Sequence, residues 1–424
     1  MATRLAVPAI LVVALAIRVP FAFLDPVVIV DPHIIAGWAT TLASGGMPAL
    51  VQRTPIVLYP PLAMLALWVV GVLGQPLVGL RLIGIFGDVG LAALVALLLA
   101  DRRPRVRIAI VAAVAFNPAL WYISAVWGQL DSVYALLGAA SLGWLALRQT
   151  RAAAAAAALS IAWKLQALVL APVVAAVVLR DRRVSSVASA VLVGAIALAV
   201  PSLLLLLAVG FDPRYLHQLW PPTADLNVSA FNIWYLATLA LHDAHPEALA
   251  TLSSGPGDMM GVAAVAAVTA VVCVALLRVR DHPSLPLLSL AGATLTLAAF
   301  VFLTGMHERY LIAAVPLLAL AAAGTATGQP DRAAIAAFIA ITLTQTLNLL
   351  AVGSLARNLW RNIFAAPTGP LAQTFVALGV VSAIVNVGVL AWCVWRFTAL
   401  GWFPASTSLA LDAGPQDAGA TAKN

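Results

Sequence analysis

The chain has 424 residues, 63% of them hydrophobic and only 9% charged, with a mean hydropathy of +1.03. No soluble domain of this length hides that much apolar surface, so lipid is the solvent for most of it. The formal charge of +7 fits membrane orientation better than a nucleic-acid partner, and the two cysteines, Cys273 and Cys393, lie inside apolar runs and point to neither a disulfide framework nor a metal cluster.

Apolar runs long enough to cross a hydrocarbon core of ~30 Å recur along the whole chain. The first, 5–24, is too long for a signal-peptide core and lacks a small-x-small cleavage site, so it is expected to remain as a span. Further spans are expected near 80–100, 108–124, 131–147, 152–163, 167–179, 184–209, 260–278, 285–304, 311–325, 333–352 and 371–396. The expected fold class is therefore all-α, a polytopic helical membrane protein with about twelve transmembrane helices. The run 59–74 breaks the parity if it crosses fully, and is expected to be embedded in the outer leaflet. Residues 1–396 are read as one transmembrane domain with long extracytoplasmic loops at 25–58 and 210–259, the second carrying the short apolar helix "FNIWYLATLAL". Residues 397–424 read as a disordered cytoplasmic tail.

Orientation follows from the basic clusters "DRRPRVR" (101–107), "RQTR" (148–151), "RDRR" (180–183), "RVRD" (278–281) and "PDR" (330–332), with Arg396 and Lys423. Placing these inside puts most of the 23 lysines and arginines in the cytoplasm. Both termini are then cytoplasmic, and the protein is a multi-pass component of a cell membrane, bacterial by its Arg- and Ala-rich composition.

The interval 152–179 is too short for two full spans of roughly 20 residues each. Two half-length helices meeting at "WKLQ" (163–166) keep both flanking basic loops inside and set Lys164 at the floor of a cavity. One long tilted helix is the alternative, with a basic loop outside against the rule.

Polar groups that interrupt the apolar chain share the outer side. They are Asp25, Asp31 and His33; Tyr59; Arg81; Gln129 and Asp131; Lys164 and Gln166; Asn227 and Asn232; and His307, Glu308 and Arg309. Ionisable groups at membrane depth are functional candidates by default. Lys164, Arg309 and Arg81 suit an anion such as a phosphate. Asp31 suits a general base, and His307 or Glu308 suits either task. Each has a plainer alternative. Asp31 is also readable as a solvated loop acid, Lys164 as a snorkelling side chain, Glu308–Arg309 as a structural ion pair, and Asp131 with Gln129 as a helix start. Arg81 and Asp88, two turns apart on one helix face, are equally readable as orienting their span. "HERYL" is not H-E-x-x-H, and no phosphate loop or nucleophile elbow is present. No tightly bound cofactor or metal is expected; a divalent cation at a bound phosphate is left open, with no ligand spacing in the sequence to support it.

Several of these stretches together resemble the GT-C superfamily of polyprenyl-phosphate-sugar-dependent membrane glycosyltransferases. They are "DPHIIAGWATTLASGG" (31–46), "YPPL" (59–62), "RLIGIFGD" (81–88), "NPALWYISAVWGQLDSVY" (117–134), "KLQALVLAP" (164–172), "AFNIW" (230–234) and "MHERYL" (306–311), which occur in family order. The likeness is strongest to bacterial relatives of the second mannosyltransferase of GPI-anchor assembly. Departures fall at Leu58, where that family has an Asp before its "YPP", at Leu165 in place of a proline, and at Ile35 in place of an aromatic.

The resemblance implies an inverting glycosyltransferase, with Asp31 as general base and a polyprenyl-phosphate sugar, mannose among the sugars, as donor. It implies a lipid, glycan or protein acceptor outside the cell. Donor and substrate contacts are expected from Tyr59, Arg81, Gln129, Asp131, Lys164, Gln166, Asn232, His307, Glu308 and Arg309. The rival reading is a transporter or flippase of lipid-linked sugars, which would favour inverted repeats and polar groups at the bilayer midplane.

Overall fold

The computed structural model describes residues 2–24, 30–54, 59–180, 183–219, 225–324, 329–352 and 370–402. Within them the protein is helical apart from one two-residue strand pair. Nine helical stretches among the described residues are long and apolar enough to cross a membrane, which makes the chain a multi-pass, all-α membrane protein.

The helices are α1 (Ala2–Ala22), α2 (Val30–Arg53), α3 (Pro61–Val72), α4 (Pro76–Leu98), α5 (Pro104–Ala115) and α6 (Pro118–Trp121). A π-helical turn (Tyr122–Trp127) leads to α7 (Asp131–Ala146) and α8 (Thr150–Trp163). A 3₁₀ segment (Leu165–Leu170) then opens α9 (Ala171–Arg180) and α10 (Val184–Val209). The mid-chain region holds α11 (Arg214–Gln218), β1 (Asn227–Val228), α12 (Ile233–Leu241) and α13 (Pro246–Ser253). The last part comprises α14 (Pro256–Arg278), α15 (Leu285–Phe302), β2 (Met306–His307), α16 (Ala314–Ala321), α17 (Arg332–Val352) and α18 (Pro370–Trp402).

Burial ranks these helices. The apolar window of α15 is 78% buried, against 17% for those of α1 and α10, so α15 is the central post and the other two face lipid. Its sequence is apolar all round, as a fully packed helix requires.

Three expectations from sequence need correction. Residues 25–58 are not simply a loop, because α2 fills Val30–Arg53. Its buried Ile35, Trp38, Ala39 and Leu42 follow helical spacing behind a polar-sprinkled sequence that masked the pattern. The helix bends at Gly46, whose φ of 69° suits glycine, and a Cβ there would strike the carbonyl of Val209. Second, where about twelve spans are expected, the described residues hold nine helices long and apolar enough to cross a membrane, with shorter pieces between them. In the place of a span at 311–325 the chain turns, and α16 has only 8 residues, about 12 Å of helix. Third, α18 runs on to Trp402, past the expected boundary at 396. The rest of the expected tail, and Asp25, lie outside the described residues.

At the "WKLQ" junction the chain breaks. Helix α8 is 14 residues long, about 21 Å and short of a full crossing. Lys164 then takes an extended backbone (φ −154°, ψ 128°) before the 3₁₀ segment begins. Helix α3, with 12 residues, is likewise too short to span.

Candidate functional site

The site is built where helices end. Lys164 leaves the helical ladder at the α8 break, Gln129 follows the π-helical turn, and His307–Tyr310 follows α15. Gly128 supplies the αL residue that ends the π turn (φ 85°), with the Arg81 side chain packed on it. The segment bearing His307 is pinned from two sides. Strand β2 pairs in parallel with β1, setting Asn227 beside Met306 and Val228 beside His307. From α17, Gln345 Nε2 donates to the Glu308 carbonyl at 2.9 Å, and Asn348 Nδ2 donates to the Ser229 carbonyl at 2.8 Å.

On this frame residues far apart in sequence converge. Gln129 Nε2 donates to Asp31 Oδ2 at 2.9 Å, and Arg309 Nη1 lies 3.3 Å from the same oxygen. Tyr59 donates its hydroxyl to Gln129 Oε1 at 3.2 Å, which fixes the amide. The Tyr59 carbonyl in turn accepts from the Tyr215 hydroxyl at 2.7 Å. Asp31 stays 32% exposed while Gln129 is fully buried. One carboxylate oxygen is thus held and the group still opens to an approaching molecule.

Arg309 Nη1 also donates to Glu308 Oε1 at 2.7 Å. Adjacent residues on a helix cannot meet this way, but these two sit in a turn. His307 Nδ1 is 3.8 Å from Glu308 Oε2. Burial by itself would raise the Glu308 carboxyl; Arg309 and His307 more than offset it and hold it down to about 2. Arg309 is burdened by burial too, yet Glu308 and Asp31 carry it well above its ordinary value. Burial pushes the Tyr310 hydroxyl up to about 12 and raises that of Tyr59 further.

Lys164 Nζ donates to Asp131 Oδ1 at 2.5 Å, both nearly fully buried. Around Nζ stand the rings of Tyr59, Tyr134 and Tyr310, at 5.8, 5.7 and 5.2 Å. Tyr310 also stacks on Arg309 at 5.6 Å. Such contacts stabilise a desolvated cation.

Tyr310 and Tyr134 separate this polar cluster from a cavity of about 560 Å³. The cavity is formed by the 3₁₀ segment, α14 and α15, with Gln166, Asp258, Thr304 and His307 as its polar lining. Its remaining wall is mostly apolar, including Val262, Val265, Leu295 and Leu303. Val262 and Leu168 of this wall are 59% and 50% exposed.

The structure thus brings together Asp31, Tyr59, Gln129, Asp131, Lys164, His307, Glu308 and Arg309, with Gln166 across the tyrosine partition. Two expected contact residues hold other partners, Arg81 while packing on Gly128 beside Gln129. Arg81 is 2% exposed and directs Nη1 to the carbonyls of Phe21, at 2.7 Å, and Leu24, closing the end of α1. Asn232 is fully buried as the N-cap of α12, accepting from the Trp234 and Tyr235 amides and donating to the Phe300 carbonyl. Lys164 was expected to hold a phosphate; here its charge is matched by Asp131. Asp131 does not cap α7 through its side chain.

Sequence reasoning missed Tyr310 and Tyr134 as members, and the network beneath them. Asp88 binds Arg18 at 3.2 Å and Ser124 at 2.5 Å, and Ser132 donates to its other oxygen. That network grips the loop bearing Gln129 and Asp131 from both ends. The available signal was that four of the six tyrosines, Tyr59, Tyr122, Tyr134 and Tyr310, fall within the quoted motifs. Among the described residues, no group of three or more His, Cys, Asp or Glu side chains could hold a metal ion.

No family model matches the chain, and no curated protein does. Among solved structures it is similar to the crystal structure of ArnT from Cupriavidus metallidurans bound to undecaprenyl phosphate. The identity is 14% and the TM-score 0.49, over 93% of this chain and 77% of that one.

Proposed function

We propose that the protein is a membrane glycosyltransferase of the GT-C type. It moves a sugar, with mannose first by resemblance, from a polyprenyl-phosphate donor to a hydroxyl acceptor outside the cell. The observation that carries this reading is the meeting of Asp31 with Gln129 and Arg309, beside a mostly apolar cavity.

The chemistry these residues suit is an inverting displacement. The acceptor oxygen attacks the anomeric carbon while the bond from that carbon to the phosphate oxygen breaks. Asp31 takes the hydroxyl proton, and the electron pair leaves on the polyprenyl phosphate. Gln129 and Arg309 both engage Oδ2, so Asp31 is oriented with Oδ1 left for the proton. Arg309 stabilises charge growing on the phosphate, which needs donors placed before the reaction. The apolar cavity suits the tail of the donor, and its polar mouth at Gln166 and His307 suits the phosphate end.

The test is turnover by purified protein in lipid nanodiscs given radiolabelled polyprenyl-phosphate sugars and a membrane lipid extract. Transfer of label from at least one donor is the expected result. Binding of a donor without turnover would favour a transporter, and neither binding nor turnover of any sugar in a panel of mannose, glucose and galactose donors would sink the reading.

A further inference from the structure

The cluster has the wrong charge for the ligand it is proposed to hold. Among the described residues, the joined cluster sets three carboxylates, Asp31, Asp131 and Glu308, against two permanent cations, Lys164 and Arg309. With His307 neutral, these joined groups carry one net negative charge. Asp258 adds another at the rim of the cavity, where it accepts from the Thr304 hydroxyl. A polyprenyl-phosphate sugar is a phosphodiester with one fixed negative charge across neutral pH. Bringing it in doubles the negative charge of the joined cluster, in surroundings where charge is poorly screened.

Both cations already meet carboxylates, though Arg309 keeps its Nε without a hydrogen-bond partner. Lys164 is locked on Asp131 within its tyrosine rings, and Arg309 bridges Glu308 and Asp31. His307 is placed differently. It lines the cavity mouth, its side chain is 28% exposed, and its ring stands 5.2 Å from that of Tyr310. Its Nδ1 is 3.8 Å from Glu308 Oε2, so a proton on the ring would meet a carboxylate on one side and leave Nε2–H for a ligand. Strand pairing with β1 fixes its backbone. Histidine is also the side chain whose charge changes near neutral pH.

Resting on the glycosyltransferase reading, we propose that donor binding takes up one proton, and that His307 holds it against the donor phosphate. The groups facing His307 are mixed in sign, with carboxylates in the majority. On its own segment stand Glu308, Arg309 and Tyr310. From α14 comes Asp258, and from α7 come Tyr134 and, behind it, Asp131. Lys164 lies beyond the Tyr310 ring. Strand β1, at Asn227–Ser229, brings no ionisable group, and α17 brings the neutral Gln345. Asp31 and His33 stand on α2, and Arg81 packs on Gly128 beside Gln129 while directing Nη1 to the end of α1.

Calorimetry on the protein in nanodiscs tests this, using short-chain polyprenyl-phosphate mannose, glucose and galactose, without acceptor. Binding enthalpies in two buffers of different ionisation enthalpy, at pH 8, give the protons exchanged. Uptake approaching one proton per donor is expected, with affinity falling about tenfold per pH unit above neutrality. In His307→Gln the uptake should vanish and affinity should become weak and flat with pH. In His307→Lys the uptake should vanish while affinity is retained, because the charge is permanent.

Binding without uptake in the wild type, or uptake that persists in His307→Gln, overturns the proposal and leaves the glycosyltransferase reading standing. Binding that is abolished by EDTA and shows no uptake does the same, assigning the missing charge to a divalent cation. No binding of any of the three donors overturns the glycosyltransferase reading itself.

Discussion

Lys164 and Asp131, 33 residues apart in sequence, meet at 2.5 Å with side chains 5% and 0% exposed. The pair explains how a lysine survives almost fully buried among apolar helices. Its charge is matched by a carboxylate and faced by three tyrosine rings. A buried pair contributes little beyond an apolar replacement, but losing one member leaves an uncompensated charge.

The consequence is measurable by unfolding in mixed micelles. Lys164→Met and Asp131→Asn should each cost about 3–5 kcal/mol. The double variant Lys164→Met/Asp131→Asn should cost clearly less than the sum of the two. Simple additivity would contradict the pairing.

Asn232 gives a second, separable expectation. As an N-cap and a donor to the Phe300 carbonyl, it should act on stability alone. Asn232→Ala should cost about 1–2 kcal/mol and leave donor affinity unchanged within error. A large loss of affinity in a protein that still folds would return Asn232 to the binding residues.

The difference between Asn232 and Gln129 shows what the sequence carries and what it lacks. Both are single polar residues in apolar surroundings, and both read as site candidates. Only the fold reveals that one caps a helix and the other reaches Asp31. The break at Lys164 was legible, because two basic loops and a short interval leave few ways to cross a membrane. Helix α2 was hidden, since Ser, Thr and Gly dilute its hydropathy even as Ile35, Trp38 and Leu42 keep helical spacing. Arg81 and Asp88 shared a helix face as expected, yet their partners, Phe21, Leu24, Arg18 and Ser124, come from contacts that no spacing encodes.

Gln129 holds Asp31 through one hydrogen bond and is itself held by Tyr59. Replacing it with leucine should leave Asp31 in place but free to turn. Such a misplacement is expected to lower kcat by about 10–100-fold with little change in donor affinity. A change confined to KM would place Gln129 on the donor rather than on the base.

Glu308 sets the acid limit. Its carboxyl is held below its ordinary value by Arg309 and His307 against the opposing effect of burial. A depressed carboxylate contributes stability that is fully present above the unfolded value of 4.5 and is lost as pH falls towards about 2. Unfolding measured from pH 6 to pH 2.5 should steepen below about 4.5 in the wild type. In Glu308→Gln the slope in that window should flatten. An unchanged slope would remove Glu308 from the ion pair.

The most direct measurement compares wild type with Asp31→Asn under single turnover, after donor binding has been measured for both. The asparagine keeps the shape and the contact with Gln129 but cannot take the acceptor proton. The account predicts donor binding within a few-fold of wild type and sugar transfer slowed by about 10²–10⁴. Full transfer by Asp31→Asn would contradict the central claim, because the proton would then have to leave by another group.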